Sequence, residues 1–336
     1  MKNLVVHIVD DASWGGVNRL LETLVGASEL THDQHKIVRV ERGLRKAPLI
    51  EADVIVSHMS ACWKNLPFFT SLRATHPETP LVHVEHSYSQ RYAALKVKAG
   101  DRFSDLLNLT YCLFDRVVAV SEPQAEWIAR RGYCQPDQLV TISSCVGLEP
   151  FMAVVGRRPT GPFKLACMGR FHEQKGFDIV LEAFLAANPR DIQLVMIGDG
   201  PVKDKLQRQA YGHHNVIFKG NTDAPALAMA EVDAVAMPSR WEPYGLVALE
   251  AMAAGRAVYC SGADGLKQHV AAGAIAISEN TVDGWKALFA NGLQRDVATG
   301  LRLSAGVAGA EWAFIKAWND LTHSLTRQTA PAQMAA

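Results

Sequence analysis

The sequence predicts an α/β protein built from two doubly wound parallel sheets. Three observations support this fold class: short runs rich in β-branched residues recur along the chain, stretches of helical spacing separate them, and the pattern restarts after a segment rich in Gly, Pro and Arg. The 336 residues are 49% hydrophobic and 20% charged, which is enough apolar material for two packed domains.

The first half of the chain contains five strand candidates separated by helical spacers. These candidates lie at residues 4–10, 52–58, 80–86, 116–121 and 139–143. We therefore expect a first Rossmann-like domain over residues 1–152. The residues AVVGRRPTGP then predict a linker over 153–162, because Gly and Pro interrupt regular structure.

The second half repeats the pattern. Six strand candidates lie at residues 164–169, 192–198, 215–220, 233–239, 257–262 and 274–278. They predict a second Rossmann-like domain over 163–305. Apolar residues at near-helical spacing predict an amphipathic helix over 306–325, and the low apolar content of 326–336 predicts a loose tail.

Charge and cysteine usage exclude several classes of protein. Lys+Arg 34 against Asp+Glu 34 gives a formal net charge of zero, so no global basic field would attract nucleic acid. The 6 cysteines lack metal-ligand spacing, which indicates reduced thiols in a cytoplasmic protein. No segment reaches the roughly 20 apolar residues that a membrane span needs. Basic clusters at 36–46 and 91–102 leave open a peripheral contact with the inner face of the membrane, although solvated faces are the simpler interpretation.

One carboxylate stands out within SRWEPYGLVALEAMAAG, residues 239–255. Glu250 lies inside an otherwise uncharged run and follows a second carboxylate, Glu242. A helix that is apolar nearly all round belongs in an interior, where an ionised carboxylate is costly unless something satisfies it. Glu250 therefore either has a protein partner, for which Arg256 is a candidate, or binds a ligand.

Two cations occupy a similar position in the preceding part of the same domain. In KLACMGRFHEQKGFDIVLEAF, residues 164–184, Arg170 and Lys175 follow a strand candidate and precede a helix start. Ligands of open α/β sheets bind beyond the carboxyl ends of the strands. Two cations at such a place favour binding of a diphosphate.

These two segments resemble the retaining glycosyltransferases of family 4. The segment from Glu242 to Glu250 is similar to the E-x7-E motif of that family, and the segment around Arg170 and Lys175 is similar to its G-R-x4-K-G motif. The resemblance implies the GT-B fold, in which two Rossmann-like domains face each other across a cleft. It also implies that Glu242 contacts the donor sugar, that Glu250 holds the ribose, and that Arg170 and Lys175 neutralise the diphosphate. The backbone N–H groups near Tyr244, Gly245 and Leu246 would add to that stabilisation.

Weaker similarities lie in the first half of the chain. The loop DDASWGGVNRLLETLV resembles a family loop whose glycines, here Gly15 and Gly16, approach the phosphate or the acceptor. PLVHVEHSYS resembles the segment whose histidine, here His86, touches the transferred sugar. Ser121 aligns with a family serine at a helix start, and it could equally be only an N-cap.

The expected function is transfer of a sugar from a nucleoside diphosphate sugar to an acceptor hydroxyl with retained configuration. The resemblance implies a saccharide or lipid-linked saccharide acceptor, in bacterial surface polysaccharide or lipopolysaccharide synthesis. We expect no cofactor and no metal, because the chain has no Asp-x-Asp triplet and no cluster with ligand spacing. A sugar-nucleotide epimerase or hydrolase, or an inert nucleotide-sugar-binding scaffold, are the alternatives.

Overall fold

The computed structural model describes residues 2–11, 15–27, 32–156, 159–291, 293 and 297–329. The chain divides into two compact units. The first runs to Gly147 and includes the segment from Ala310 onward, and the second is Leu148–Gly309. Each unit holds a six-stranded sheet in which every pair of neighbouring strands is parallel, which confirms the expected α/β fold class.

The sheet of the first unit has the strand order β2-β1-β3-β4-β5-β6. Its strands are β1 Asn3–Val9, β2 Asp33–Arg39, β3 Val54–Ser57, β4 Leu81–Glu85, β5 Arg116–Ala119 and β6 Leu139–Thr141. The helices between them are α1 Gly16–Gly26, α2 Leu66–Thr75, α3 Gln90–Lys96, α4 Gly100–Tyr111 and α5 Glu122–Arg131. The inner strands are buried on both faces, as expected for a parallel sheet covered by helices.

The sheet of the second unit has the order β12-β11-β10-β7-β8-β9. Its strands are β7 Phe163–Met168, β8 Ile192–Ile197, β9 Val216–Lys219, β10 Ala234–Met237, β11 Ala257–Cys260 and β12 Ile275–Ala276. The helices are α6 Glu149–Met152, α7 Phe177–Ala187, α8 Lys203–Gln209, α9 Pro225–Ala230, α10 Leu246–Ala253, α11 Leu266–Ala271, α12 Val282–Asn291 and α13 Val297–Val307. All six strand candidates of this half lie on strands, and β7 and β10 are neighbours in the middle of the sheet.

The last helix, α14, spans Ala310–Thr329 and belongs to the first unit. Its buried side chains Phe314, Trp318 and Leu321 are 3%, 2% and 6% exposed, so the apolar face expected from the sequence is covered. Residues 326–329, assigned above to a loose tail, continue the helix instead, and 330–336 lie outside the described residues. Within the described part of the chain, none of the helices combines the length and hydropathy that a bilayer-spanning segment needs.

One strand of the first unit was not expected. β2 contains Asp33, His35 and Lys36, and its second half falls in the basic cluster at 36–46 that the sequence analysis interpreted as a solvated face. β2 pairs only with β1 and forms the edge of the sheet. An edge strand needs fewer apolar residues than an inner strand, so the β-branched pattern is weak there.

Candidate active site

The loop that joins β10 to α10 leaves the second sheet at its carboxyl edge, where ligands of open α/β sheets bind. Gly245 makes the turn into α10 possible: its φ is +100°, and a Cβ at this position would lie 2.8 Å from Cδ2 of Leu266. Tyr244 is buried and packs edge-on against His269, with ring centroids 4.8 Å apart. Leu246 begins α10, whose first N–H groups point toward the loop and favour an anion.

Several hydrogen bonds fix Glu242 in this loop. Its Oε2 accepts a hydrogen bond from Lys175 Nζ at 2.6 Å and another from Ser239 Oγ at 2.9 Å. Its backbone N–H donates to Asp264 Oδ2 at 3.2 Å. Since the residue is only 6% exposed, its carboxylate is held in a nearly water-free position by charge-assisted hydrogen bonds.

Lys175 reaches Glu242 from the segment that follows β7. A short 3-10 helix, Glu173–Lys175, is followed by Gly176 with φ +66°. A Cβ at Gly176 would lie 2.1 Å from the carbonyl oxygen of Pro238, so only glycine allows the two loops to approach this closely. The adjacency of β7 and β10 in the sheet therefore brings the two motifs together, and Lys175 contacts Glu242.

Arg240 connects the same two loops, and sequence reasoning missed it. Its backbone N–H donates to the carbonyl oxygen of Gln174 at 2.7 Å, and its guanidinium donates to both carboxylate oxygens of Asp178 at 2.9 and 2.8 Å. Burial alone would raise the pKa of Asp178, but the hydrogen bonds and charge of Arg240 lower it below its usual value. Arg240 thus fixes the 3-10 helix that carries Lys175.

Glu250 lies in the second turn of α10 and is 1% exposed. Every residue of α10 from Ala248 to Ala253 is buried, which confirms that the uncharged run belongs to the interior. Arg256, the protein partner considered above, is also fully buried and donates from Nε to the carbonyl oxygen of Met229 at 2.8 Å. Its Nη2 donates to the carbonyl oxygen of Val154 at 3.2 Å.

The remaining donor-side cation, Arg170, follows Gly169 at the end of β7 and is exposed. A Cβ on Gly169 would lie 3.9 Å from Lys175 Cε, so the lysine side chain passes over the residue next to Arg170.

In the first unit, Gly15 precedes α1 and Gly16 is its first residue, while residues 12–14 of the same loop lie outside the described part. Ser121 caps α5, because its side chain accepts from the N–H of Gln124 at 3.4 Å.

His86 follows β4, at the carboxyl edge of the first sheet, and is partly buried. Its Nε2 lies 2.8 Å from Nδ1 of His58. Burial lowers the pKa of His86 to about 4. The charge of Glu85 opposes this shift and that of His83 adds to it. The ring is therefore neutral at pH 7. Glu85 itself accepts from the backbone N–H groups of Ser87 and Tyr88, at 2.7 and 2.9 Å.

Two further residues around Glu242 also escaped the sequence analysis. Ser239 contacts Glu242 within the same loop, whereas Asp264 reaches Glu242 from the loop after β11. Asp264 is 6% exposed and has a φ of +47°, an uncommon conformation for a residue other than glycine.

Among the described residues, no group of three or more His, Cys, Asp or Glu side chains could hold a metal ion.

Two family models match the chain. The model described as glycosyl transferases group 1 matches residues 162–299, and the model of glycosyltransferase family 4 matches residues 15–149. Between them they account for most of both units. The chain belongs to the GT-B glycosyltransferases.

Individual relatives agree with this family. Glycogen synthase of Mycobacterium tuberculosis is 36% identical over 137 residues, which cover 38% of this chain and 32% of that protein. D-inositol 3-phosphate glycosyltransferase of Salinispora arenicola is 28% identical over 71% of this chain and 61% of its own length. The structure of Anabaena HepE in complex with UDP-glucose has a TM-score of 0.68 and 16% identity, with 98% of both chains covered, and shows that the fold is shared. The match to the glycogen synthase thus spans about a third of that relative's length.

Proposed function

We propose that this protein is a retaining glycosyltransferase that moves a hexosyl group from a nucleoside diphosphate sugar to an acceptor hydroxyl. The observation that carries the proposal is the contact between Lys175 and Glu242 at the carboxyl ends of two neighbouring central strands. The contact holds a cation and a carboxylate beside the N-terminus of α10, where a diphosphate and a sugar would meet. The family relationship and the shared fold of the UDP-glucose complex support the same conclusion.

The donor would be held mainly by the second unit. Lys175, Arg170 and the first N–H groups of α10 would stabilise the charge that develops on the departing diphosphate, which is most effective where water is excluded. Glu242 would accept hydrogen bonds from hydroxyls of the donor sugar. Glu250, buried in the second turn of α10, would accept from the two ribose hydroxyls, since a carboxylate has enough lone pairs for both.

The resemblance to family 4 also assigns roles to residues of the first unit. His86 is neutral and has a second ring nitrogen, Nδ1, that can exchange a hydrogen bond with the transferred sugar. Gly15 and Gly16, at the start of α1, would let the backbone approach the diphosphate or the acceptor. We propose that the departing diphosphate helps to deprotonate the acceptor hydroxyl, and that no residue of the chain acts as a covalent nucleophile.

The acceptor proposed here is a saccharide or lipid-linked saccharide of bacterial surface polysaccharide or lipopolysaccharide synthesis. This assignment rests on the resemblance to family 4 alone. We also propose that the reaction needs no divalent metal, because Arg170 and Lys175 would provide the positive charge that a metal supplies in other transferases.

The experiment that tests this function is a thermal-shift panel with UDP, GDP, ADP, CMP and NAD, each with and without EDTA. A ligand at about a hundred times its dissociation constant stabilises a fold by roughly 2.7 kcal/mol, which gives a measurable shift. We expect stabilisation by one nucleoside diphosphate that EDTA leaves unchanged. The matched variants are Glu250→Gln, which should lose the shift, and Glu182→Gln on the exposed face of α7, which should keep it.

Other outcomes would redirect the assignment. A shift with NAD alone, or with no nucleotide, would contradict the proposal. Binding abolished by EDTA would contradict its metal-free part. Sugar conjugates of the nucleoside diphosphate selected by the panel are then incubated with the protein without any acceptor, and rapid consumption would favour an epimerase or hydrolase. Stable binding without turnover in the presence of a series of saccharide acceptors would favour a binding scaffold.

A further inference from the structure

Four histidines lie in a row across the first sheet. His35 is on β2, His7 is on β1, and His58 and His86 follow β3 and β4 directly. In the register of the sheet, Val5 pairs with His35, His7 pairs with Val56, and Val56 pairs with Val82. Side chains alternate between faces along a strand, so all four histidines project from the same face.

The rings are joined by three contacts of hydrogen-bond length. His35 Nδ1 lies 2.9 Å from His7 Nε2, and His7 Nδ1 lies 2.9 Å from His58 Nε2. His58 Nδ1 lies 2.8 Å from Nε2 of His86. Each contact therefore joins Nδ1 of one ring to Nε2 of the next, and the direction is the same along the whole row.

This common direction restricts the tautomers. A neutral imidazole has one N–H donor and one acceptor nitrogen. If His35 carries its proton on Nδ1, then Nε2 of His7 must accept and His7 carries its own proton on Nδ1. The same reasoning continues to His86. The opposite choice, with the proton on Nε2, also passes from ring to ring, so a fully hydrogen-bonded neutral row has only two states.

The surroundings keep the row neutral. His7 and His58 are 0% and 8% exposed, and burial, with smaller effects from the neighbouring histidines, holds their pKa values well below the usual range. Burial lowers the pKa of His35 to about 4, although the charge of Asp33 on the same strand opposes this. His86 behaves alike, for the reasons given above.

Helix α14 covers the row. The indole of Trp318 packs edge-on against His7, with ring centroids 5.7 Å apart, and lies 6.5 Å from the ring of His58. The hydroxyl of Thr322 donates to Oδ2 of Asp33. The other charged neighbour, Glu85, belongs with His83 to the opposite face of the sheet, because Ser57 rather than Val56 pairs with His83. The row therefore runs beneath a packed helix from the edge strand β2 to His86, which follows β4.

We propose that His35, His7 and His58 are positioning residues that act through the row to set the tautomer of His86. All four rings take the same tautomer, and the row decides whether Nδ1 of His86 donates to a ligand hydroxyl or accepts from it. The part of this inference that concerns a ligand rests on the proposed function. The coupling between the rings does not, because it is a property of the protein without ligand.

The experiment is heteronuclear NMR of the full chain labelled with nitrogen-15 in histidine, recorded at pH 7 without ligand. The long-range coupling pattern of each ring distinguishes its two tautomers. We expect a single, common tautomer for His35, His7, His58 and His86. Different tautomers among these four rings, or a protonated ring within the row, would overturn the proposal.

A variant tests the coupling itself. His58→Phe keeps the ring shape and removes the partner of His86 Nε2, so we expect His86 to populate both tautomers. The matched control is His76→Phe, which removes another buried histidine of the same unit whose Nε2 accepts from the N–H of Ile50 at 2.9 Å. It should destabilise the unit and leave the tautomer of His86 unchanged. An unchanged tautomer of His86 in His58→Phe, or an equal change in the control, would overturn the proposal.

A second variant covers the case in which His58→Phe does not fold. His35→Phe, on the edge strand, leaves the contacts of His7 with His58 and of His58 with His86 in place, so these three rings should still share one tautomer, and different tautomers among them would overturn the proposal. Binding of the nucleoside diphosphate selected by the thermal-shift panel should be the same in His35→Phe and in the unsubstituted protein. Failure of the row would therefore leave nucleotide binding intact, whereas failure of the proposed function would leave the common tautomer intact.

Discussion

The ion pair between Lys175 and Glu242 leads to the most quantitative prediction. The side chains are 19% and 8% exposed, and Nζ lies 2.6 Å from Oε2. Removing one partner of a buried pair costs about 3 to 5 kcal/mol, because the other charge is left without compensation. In Lys175→Met, Glu242 keeps its hydrogen bond from the hydroxyl of Ser239 at 2.9 Å, and the lysine side chain is partly exposed. We therefore expect this variant to lower the free energy of unfolding of the second unit by about 3 kcal/mol, the low end of that range.

The assay is a double-mutant cycle in denaturant, followed by tryptophan fluorescence. Lys175→Met/Glu242→Gln removes both charges and should recover most of the loss, because no buried charge remains. Lys203→Met is the control: its Nζ lies 2.6 Å from Oδ2 of Asp199, but these side chains are 32% and 46% exposed, so water screens the pair and stability should change much less. A loss below about 1 kcal/mol in Lys175→Met, or additive losses in the double variant, would refute the account of this pair.

Three further predictions concern the backbone, acid stability and α14. Gly176→Ala should lower the free energy of unfolding of the second unit by more than about 2 kcal/mol, because the added Cβ clashes with a backbone carbonyl and the residue keeps a positive φ. Gly212→Ala is the control in the same denaturation assay: its φ is +82° but its Cβ would lie in open space, so it should cost about 1 kcal/mol. The pKa values of His35 and His86 are lowered to about 4, so the unfolded chain binds more protons than the folded protein between pH 6.5 and pH 4. In thermal denaturation, the free energy of unfolding should therefore fall by about 1.4 kcal/mol per pH unit for each of these histidines as the pH decreases through this range. A flat profile would contradict their burial. Trp318→Ala should cost about 3 to 5 kcal/mol in the unfolding of the first unit, and a loss below 1 kcal/mol would show that α14 is not part of its core.

Sequence reasoning selected the residues proposed for the donor site because they lie in two short continuous segments. Each segment carries its own signature of a strand end, a glycine and a charged residue, and the contact between Glu242 and Lys175 joins them. Arg240 could not be found in this way. Its importance depends on the adjacency of β7 and β10 and on the position of Asp178, which are properties of the sheet order.

The histidine row was not predictable for a similar reason. His7, His35, His58 and His86 are separated by more than twenty residues each, and only the strand register places them on one face. The edge strand β2 was also missed, since its polar residues do not show the pattern of an inner strand. Sequence reasoning therefore captured features encoded within a segment, and it missed those created by the pairing of distant segments.

The central claim is that the segment from Glu242 to Glu250 binds a nucleoside diphosphate, and the most direct test is calorimetric titration. The ligand is the nucleoside diphosphate that stabilises the protein, titrated into the unsubstituted protein, Glu250→Gln and Glu182→Gln. Loss of charge-assisted hydrogen bonds to the ribose should weaken binding by at least about tenfold in Glu250→Gln, which corresponds to about 1.4 kcal/mol. Equal affinity in all three proteins would contradict the claim, and a loss confined to Glu250→Gln would establish it.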